Sequence, residues 1–441
     1  FEYYCKAYIA IAHGSTMDEI AGYFQRAIRK DPNFWEAHYN LGVIYYNFDL
    51  YNKALRQFNT VIDKEADFYK PYYGKAVIYY LKRDYLHSLN EFKTVLRLYP
   101  EHDRSYYFMG IIYSRLDSLE KGSKYLDKSI ELNPNYAPAY YQQSLLEIKR
   151  GWYKKALISA RKALKLNPDY YQANRALGEA YYALNLFDES IIEFNKVIKL
   201  RPTYATAYFD LGNAIYKKGA VEEIVDAYWS LIENRYTVQN SQSDQAANKN
   251  PYSGLADLRE KSRSTRTEMT LRKMISAYRK AIKYDKSFFE ATYNLALTYE
   301  NFGKIDSAEY YYQKTISIKP DLVQAHMRLG RIYEKQAKYD LALQQFKEIV
   351  KYEPEYFASS PQLGESYRNI NIIETVLQDY QHRLSVNPHD KEALKVVGSI
   401  YLSIGRLGQA EEYYQQLVVL NPNDKSARST LKQIRNKMNK F

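Results

Sequence analysis

Two stretches of the chain, 34 residues apart, carry the same pattern and decide the fold. The first reads Trp35-Glu36-Ala37-His38-Tyr39-Asn40-Leu41-Gly42-Val43-Ile44-Tyr45, and the second runs from Tyr69 to Tyr79. Both have an aromatic residue at the fifth place, a small residue at the eighth and tyrosine at the eleventh. A second amphipathic run follows each stretch, and most copies close near a proline. This period predicts stacked helical hairpins that share one continuous core.

The pattern recurs along most of the chain. Copies begin at residues 1, 35, 69, 103, 137, 171 and 205, and again at 289, 323, 357 and 391. Tyr8 replaces the small residue in the first copy, and Pro361 interrupts the first helix of the copy at Phe357. In the other copies a small eighth residue predicts close approach of the paired helices. These residues are Gly42, Ala76, Gly110, Ser144, Gly178, Gly212, Ala296, Gly330, Gly364 and Gly398.

This combination resembles the tetratricopeptide-repeat (TPR) family, which has small residues at the eighth and twentieth places, tyrosine at the eleventh and proline near the thirty-second. The resemblance covers nearly the whole chain. It implies an all-α solenoid of helical hairpins, wound as a right-handed superhelix of about eleven to twelve repeats with one internal insertion. It also implies a non-catalytic scaffold or adaptor that binds segments of other proteins in concave grooves.

The repeat phase breaks after Glu233 and divides the chain. We predict an amino-terminal arm of seven repeats at 1–235 and a polar and basic insertion or linker at 236–266. A carboxyl-terminal arm at 267–424 then holds a half repeat and four full repeats. In the half repeat, a helix resumes near Glu268, with Tyr278 and Ala281 at the twenty-fourth and twenty-seventh places. Its first helix has degenerated into, or been replaced by, the basic stretch 255–267. A basic capping helix at 425–441 closes the stack, with a thin apolar stripe at Ala427, Leu431 and Ile434.

Composition limits the classes of function and partner. The net charge is +12, and residues 236–288 hold 11 Lys and Arg against 5 Asp and Glu, so half of the excess lies there. The repeats are nearly balanced, so nucleic acid is an unfavoured partner. The basic run Arg259–Lys283 is most simply a solvated face, with a membrane surface, nucleic acid or an acidic partner as the alternatives. The single cysteine, Cys5, excludes an intrachain disulfide.

The chain begins at Phe1 within a helical pattern, so we expect a trimmed or mature product whose signal peptide or lipid anchor lies outside it. Peripheral or lipid-anchored membrane association would then use a segment outside this chain. The Tyr-, Lys- and Ile-rich composition resembles TPR lipoproteins of Bacteroidota, including those of type IX secretion and gliding machines. A multiprotein envelope or secretion assembly in the bacterial periplasm or at the outer membrane is therefore expected. The alternatives are a cytoplasmic adaptor or regulator and a carbohydrate- or peptidoglycan-binding solenoid.

No pattern for catalysis, a metal or a cofactor is apparent in the sequence. No two histidines have the i, i+4 spacing of a helical zinc site, and glycine-rich nucleotide motifs are absent. His38 and His326 fall at the fourth position, where large side chains pack. The sequence shows no evident general base that would activate the Cys5 thiol as a nucleophile. We therefore expect neither an enzyme nor a bound cofactor.

The resemblance implies that the second, fifth, ninth and twelfth residues of each first helix line the groove. Tyrosine suits such a surface because it offers a large rigid face and a hydroxyl group. Lys and Asn of the TPR carboxylate clamp are missing, since Tyr39 and Val43 hold the fifth and ninth places. Arg328 and Arg331 indicate anion contact in the second arm, with a solvated helix face as the alternative. The candidate groove residues are Tyr39, Tyr46, Tyr73, Tyr80, Tyr107, Tyr141, Arg175, Tyr182, Phe209, Tyr216, Arg328 and Arg331.

The alternative for all of these tyrosines is that they have no role in binding, because frequent tyrosine usage alone could fill the groove positions. At the fourth and eleventh positions we interpret tyrosine as packing. At the fifth and twelfth positions we favour binding. On that interpretation the core is already supplied by other positions, and replacing Tyr73 and Tyr107 should change stability little.

Overall fold

The computed structural model describes residues 1–220, 253–353 and 372–438. Every regular element in these ranges is an α-helix, as the 34-residue period predicts, and no strand occurs in them. The chain forms two compact units, Phe1–Pro202 and Thr203–Phe441. The arm boundary predicted at residue 235 and most of the predicted insertion, 236–252, lie outside the described residues.

Twelve helices make up unit 1, two from each of six repeats. They are α1 Glu2–Ala12, α2 Met17–Lys30, α3 Trp35–Asn47, α4 Tyr51–Lys64, α5 Tyr69–Leu81, α6 Tyr85–Leu98, α7 Asp103–Arg115, α8 Leu119–Leu132, α9 Ala137–Lys149, α10 Tyr153–Leu166, α11 Tyr171–Ala183 and α12 Phe187–Leu200. Odd-numbered helices are the first helices of their repeats. Helix α3 contacts α5, and α9 contacts both α7 and α11, so first helices form one layer of the unit.

The described part of unit 2 contains ten helices. They are α13 at 205–220, α14 Ser253–Tyr284, α15 Phe289–Asn301, α16 Ile305–Ile318, α17 Val323–Lys335, α18 Tyr339–Tyr352, α19 Ile372–Val386, α20 Lys391–Ser403, α21 Leu407–Leu420 and α22 Lys425–Met438. Gly364 and the first helix predicted after Phe357 lie outside the described residues. The capping helix α22 buries Ala427, Leu431 and Ile434, which confirms the predicted apolar stripe.

The small residue at the eighth position lets the two helices of a hairpin approach closely. A Cβ atom on Gly42 would lie 2.7 Å from a ring carbon of Phe58, which is itself buried at the twenty-fourth position. The ring of Phe58 therefore occupies the space that a side chain at position 42 would need. The predicted close contacts are confirmed at Gly42, Gly110, Gly178, Gly330 and Gly398, where the opposing side chains are Phe58, Leu126, Phe194, Phe346 and Tyr414.

In eight of the described hairpins the turn has a positive φ at the fifteenth position, whereas the first repeat has it at Gly14. In the second repeat Asp49 has φ 57°, and its N–H donates to the Tyr46 carbonyl at 3.1 Å. The Leu50 N–H donates to the Tyr45 carbonyl at 2.8 Å. This pair of bonds is a Schellman motif, which satisfies the last carbonyls of the first helix. The same position has positive φ at Arg83, Asp117, Gly151, Asn185, Gly303, Ala337 and Gly405.

Hydrogen bonds to tyrosine join successive repeats. In three repeats the eleventh-position hydroxyl accepts a bond from a glutamine at the twenty-fifth position of the preceding repeat, so the phenol body packs in the core while its oxygen is satisfied. Tyr45, Tyr299, Tyr333 and Tyr401 are buried, which confirms the packing interpretation of these positions. The glutamine seams run from Gln25 to Tyr45 (2.9 Å), from Gln313 to Tyr333 (2.7 Å) and from Gln381 to Tyr401 (2.9 Å).

The seventh repeat is split, and the predicted half repeat is its second helix. A Cβ atom on Gly212 of α13 would lie 2.6 Å from the ring of Tyr278 in α14. The Tyr278 hydroxyl donates to Asn213 Oδ1 at 2.8 Å, and the same oxygen accepts a bond from Asn294 of α15 at 2.9 Å. These are the contacts of an ordinary hairpin. The helix that was predicted to lack its partner therefore pairs with α13, and the additional residues separate the two helices in the sequence.

Helix α14 begins earlier than predicted. It starts at Ser253 rather than near Glu268, so residues 253–266 of the predicted linker are helical. Residues 255–267 have no apolar stripe, which is why periodicity missed them. Leucine, alanine, arginine, glutamate and lysine in this stretch all have high helix propensity, which favours a helix even where the sequence has no apolar stripe.

Candidate functional site

A row of aromatic rings runs along the first helices of unit 1. Tyr39, Tyr73, Tyr107 and Tyr141 occupy the fifth position of α3, α5, α7 and α9, and each is half-buried. Each ring packs against an aromatic residue in the turn just before the next repeat. We call these eight side chains the aromatic ladder, whose paired ring centroids are Tyr39–Phe68 (5.3 Å), Tyr73–His102 (4.8 Å), Tyr107–Tyr136 (5.1 Å) and Tyr141–Tyr170 (5.1 Å).

The turn rings were missed in the sequence, although their signal was present. They occupy the last position of each repeat, which reads Phe34, Phe68, His102, Tyr136, Tyr170 and Tyr204 in succession. Trp35 joins the same layer, since its ring centroid lies 5.0 Å from that of Phe68.

The expectation that ladder tyrosines are unimportant for packing is wrong. Tyr73 contacts Phe92 and Phe108 as well as His102, with ring centroids 5.9 and 6.3 Å away for the two phenylalanines. Burial raises the pKa of the Tyr73 hydroxyl to about 12, and burial also raises the pKa of Tyr107. Both phenols therefore stay protonated at neutral pH and act as rigid, uncharged donors.

Tyrosines at the twelfth position extend the same surface. Tyr46 and Tyr80 are half-buried, and burial raises the pKa of both hydroxyl groups. The Arg115 guanidinium lies 4.9 Å from the Tyr80 ring centroid and donates to the Tyr85 hydroxyl at 3.1 Å. Tyr182 of α11 packs on Phe187, with ring centroids 5.7 Å apart.

The remaining candidates of the amino-terminal arm differ from the ladder. Arg175 replaces the aromatic residue in α11 and forms an ion pair with Glu179 at 2.5 Å on the same helix. Phe209 and Tyr216 belong to unit 2. The Phe209 ring lies 4.9 Å from Phe288, which repeats the ladder pairing, whereas Tyr216 is 39% exposed.

Arg328 and Arg331 line a cleft of about 690 Å³ with Ile305 of α16 and Glu300 of α15. Arg328 Nη1 lies 3.3 Å from Glu300 Oε1, and the fully buried Tyr312 hydroxyl donates to Glu300 Oε2 at 2.6 Å. The guanidinium predicted to contact an external anion is therefore ion-paired within the chain. Arg328 is thus already paired with Glu300, and anion contact at Arg328 and Arg331 stays a prediction.

The histidines at the fourth position pack as predicted. His38 and His326 are buried, and each Nδ1 lies within hydrogen-bond distance of a glutamine Oε1, at 2.8 Å from Gln57 and 2.9 Å from Gln345. Among the described residues, no three His, Cys, Asp or Glu side chains come together as a metal site. Within the same ranges, no helix is both long and apolar enough to cross a bilayer.

Comparison with solved structures gives TPR proteins. YrrB, described as a TPR protein with an unusual peptide-binding site, is 21% identical, matches 42% of this chain and 95% of its own, and has a TM-score of 0.36. MamA is 23% identical, matches 52% of this chain and 97% of its own, and has a TM-score of 0.35. The human IFIT1 dimer with m7Gppp-AAAA is 17% identical, matches 95% of this chain and 89% of its own, and has a TM-score of 0.46. These identities and scores assign no ligand to this chain.

Comparison with sequences gives the family itself. No curated protein matches the chain. Models of the tetratricopeptide repeat match residues 23–56, 103–136, 137–170, 275–323, 323–356 and 396–424, and a TPR repeat model matches 180–219. The matched segments fall on the helical hairpins described above, and the chain belongs to the tetratricopeptide-repeat family.

Proposed function

We propose that this protein is a non-catalytic scaffold that binds a segment of a partner protein along the aromatic ladder of unit 1. The observation that carries the proposal is the ladder itself, in which four tyrosines at one repeat position are each fixed by a turn aromatic. Rings that are already fixed lose little conformational entropy when a ligand packs on them. Aromatic side chains are also enriched among the residues that dominate binding energy.

The half-burial of the ladder supports binding beyond simple packing. A ring needed only for the core can be fully buried, as Phe58 and Phe92 are. The ladder tyrosines instead keep part of their surface in solvent and carry hydroxyl donors. This combination of an apolar face and a polar tip suits an interface that is wet in the free protein.

The assembly in which this scaffold acts is a further part of the proposal. The composition suggests a bacterial envelope machine such as the type IX secretion and gliding apparatus, with a periplasmic or outer-membrane location. Fractionation of the native cell tests that location directly, and recovery in the cytoplasm would favour the adaptor or regulator alternative.

Site-specific photo-crosslinking tests the ladder without removing its packing. p-Benzoylphenylalanine placed at Tyr39 or Tyr141 keeps an aromatic ring at the site. The matched control carries the same group at Leu86 of α6, a second-helix position that is 69% exposed. We expect both ladder positions to give the same crosslinked protein, identified by mass spectrometry, and the control to give none of it. Equal crosslinking at all three positions, or none at the ladder, contradicts the proposal.

A further inference from the structure

Two cations lie against the aromatic ladder, one repeat apart. Lys70 and Arg104 hold the second position of α5 and α7, and both are exposed. The Lys70 Nζ lies 5.8 Å from the Phe68 ring centroid, and the Arg104 guanidinium carbon lies 5.9 Å from the Tyr136 ring centroid. Both rings belong to the ladder. Cation–π contact at this distance places each positive charge beside the tyrosine row.

Neither cation has a carboxylate within ion-pair distance in the described part of the chain. Other cations of unit 1 do have such partners: Lys75 lies 2.8 Å from Glu91, Lys149 lies 2.8 Å from Asp117, and Arg175 lies 2.5 Å from Glu179. Unit 1 thus neutralises several of its cations internally and leaves Lys70 and Arg104 on aromatic rings.

The helices around these cations bring few acids to oppose them. Helices α5, α7 and α9 contain only two acidic residues, Asp103 and Glu147. Asp103 Oδ2 accepts a bond from Asn133 at 2.7 Å. Glu147 is buried and accepts a bond from Ser159 at 2.7 Å. Helices α5, α7 and α9 therefore carry five cations against two acids, a net positive charge on three of the helices that hold the ladder.

The tyrosine hydroxyls beside Arg104 add neutral donors. Burial raises the pKa of Tyr73 to about 12, and the Arg104 charge acts on the same hydroxyl in the opposite direction. A phenol that stays protonated next to a guanidinium can donate to an anion that the guanidinium attracts.

We infer that the partner segment is acidic, with one carboxylate on Arg104, a second on Lys70, and apolar side chains on the rings of Tyr73 and Tyr107. This inference rests on the proposed function and adds the chemistry of the ligand. A nucleic-acid strand fits less well, because its backbone needs a continuous track of cations. Here Lys149 and Arg175 are already ion-paired, and Arg115 is held by Tyr80 and Tyr85.

The test uses the full chain and a random dodecapeptide library displayed on phage. We expect panning to enrich peptides that combine Asp or Glu with apolar or aromatic residues. Fluorescence anisotropy with a selected synthetic peptide should show binding weakened at least about tenfold by Arg104→Gln and also weakened by Lys70→Gln. The matched control is Glu36→Gln, at the same helix position one repeat earlier, which should not weaken binding.

A charge exchange separates direct pairing from general electrostatics. Arg104→Glu should abolish binding of the acidic peptide and restore binding to a peptide whose key acid is replaced by lysine. Enriched peptides without acids, or equal affinity for wild type and Arg104→Gln, overturn the acidic-ligand inference. The proposed function survives that result if the peptides compete with crosslinking at Tyr39 and Tyr141. If no peptide is enriched and a fluorescent single-stranded oligonucleotide binds through Arg104 instead, both proposals fail.

Discussion

Tyrosine has different roles at different positions of the repeat. At the eleventh position the ring is buried or half-buried, and in the glutamine seams its hydroxyl accepts a bond from the preceding repeat, as in Tyr333 with Gln313. At the fifth position the ring is half-buried and rests on a turn aromatic. The sequence predicts the first role because the eleventh position is part of the repeat pattern. The sequence did not predict the packing of the fifth-position ring, because the aromatic ring that it contacts comes from the last position of the repeat.

Replacing Ala337 by glycine should stabilise the protein. Ala337 has φ 57° at the fifteenth position, where Gly303 and Gly405 have φ 69° and 77° in other repeats. An L-residue in this left-handed region costs about 1 kcal/mol, which glycine avoids. We expect a higher midpoint in urea for Ala337→Gly and a lower one for the reverse control, Gly303→Ala. A lower midpoint for Ala337→Gly would contradict the strain argument.

Glu147 should destabilise the protein at neutral pH. Burial raises the pKa of this carboxyl group, while the Ser159 hydrogen bond and the Lys155 charge oppose the shift and Asp127 adds to it. Because the folded-state pKa lies above the unfolded value, the cost is fully present above the folded pKa and vanishes below the unfolded one. Glu147→Gln should therefore raise Tm at pH 8 and leave it nearly unchanged at pH 4.

The measurement is a pair of thermal melts at each pH, followed by circular dichroism. Ser159→Ala serves as a control, since it removes the bond to Glu147 Oε2 without removing the charge. It should lower Tm more at pH 8 than at pH 4. An equal gain in Tm at both pH values for Glu147→Gln would show that packing, and not ionisation, limits stability here.

At the scale of elements, the hairpins were predictable and the split hairpin was not. Gly42 and Phe58 meet because their spacing is constant in every contiguous repeat. Gly212 and Tyr278 make the same contact across a long insertion, so a fixed period cannot connect them. Tyr278 was correctly placed at the twenty-fourth position, but its partner helix was assigned to a separate repeat.

Two glycine-to-alanine substitutions should have opposite effects on helix hairpins. On Gly330 a Cβ atom would lie 2.6 Å from the Phe346 ring, which is only 1% exposed and has no room to move. Gly330→Ala should cost about 1–3 kcal/mol of unfolding free energy. Gly22, inside α2, has nothing within 4 Å of such an atom. Gly22→Ala should stabilise by roughly 0.5–1 kcal/mol, because alanine restricts the unfolded chain.

Urea denaturation of the two variants measures both effects on one scale. The prediction concerns their difference in sign, so it does not depend on the absolute stability of the protein. Destabilisation by both substitutions would mean that helix α2 cannot accept a side chain at position 22.

At the scale of the whole molecule, a repeat protein is approximately the sum of its repeats and their interfaces. The fold class follows from the sequence because the same contacts recur many times, and a weak copy does not obscure the others. The ligand does not follow in the same way. Lys70 and Arg104 occur at a position that holds Glu36 one repeat earlier, so repetition predicts a surface but not its charge.

The split seventh repeat should be a weak point in this sum. The contact of Gly212 with Tyr278 joins residues 66 apart in the sequence, whereas the equivalent contact of Gly42 with Phe58 joins residues 16 apart. Closing the longer connection costs roughly 1 kcal/mol more, at about 0.6 kcal/mol for each doubling in length. Amide hydrogen exchange should therefore be faster at 207–216 than in the contiguous hairpin of α17 and α18. Equal or slower exchange would show that other contacts offset the loop.

The position of Trp35 beside the ladder gives the protein an optical probe. Its indole packs on Phe68 at one end of the tyrosine row, whereas Trp152 is 43% exposed on a hairpin turn with the Arg150 guanidinium carbon 3.9 Å from its ring centroid. Trp229 lies outside the described residues. In a chain whose other two tryptophans are replaced by phenylalanine, emission would come from Trp35 and from energy that the many nearby tyrosines transfer to it. A ligand that covers the ladder should exclude water from this indole and shift its emission to shorter wavelength. Occupancy of the ladder can therefore be followed by fluorescence without an attached label.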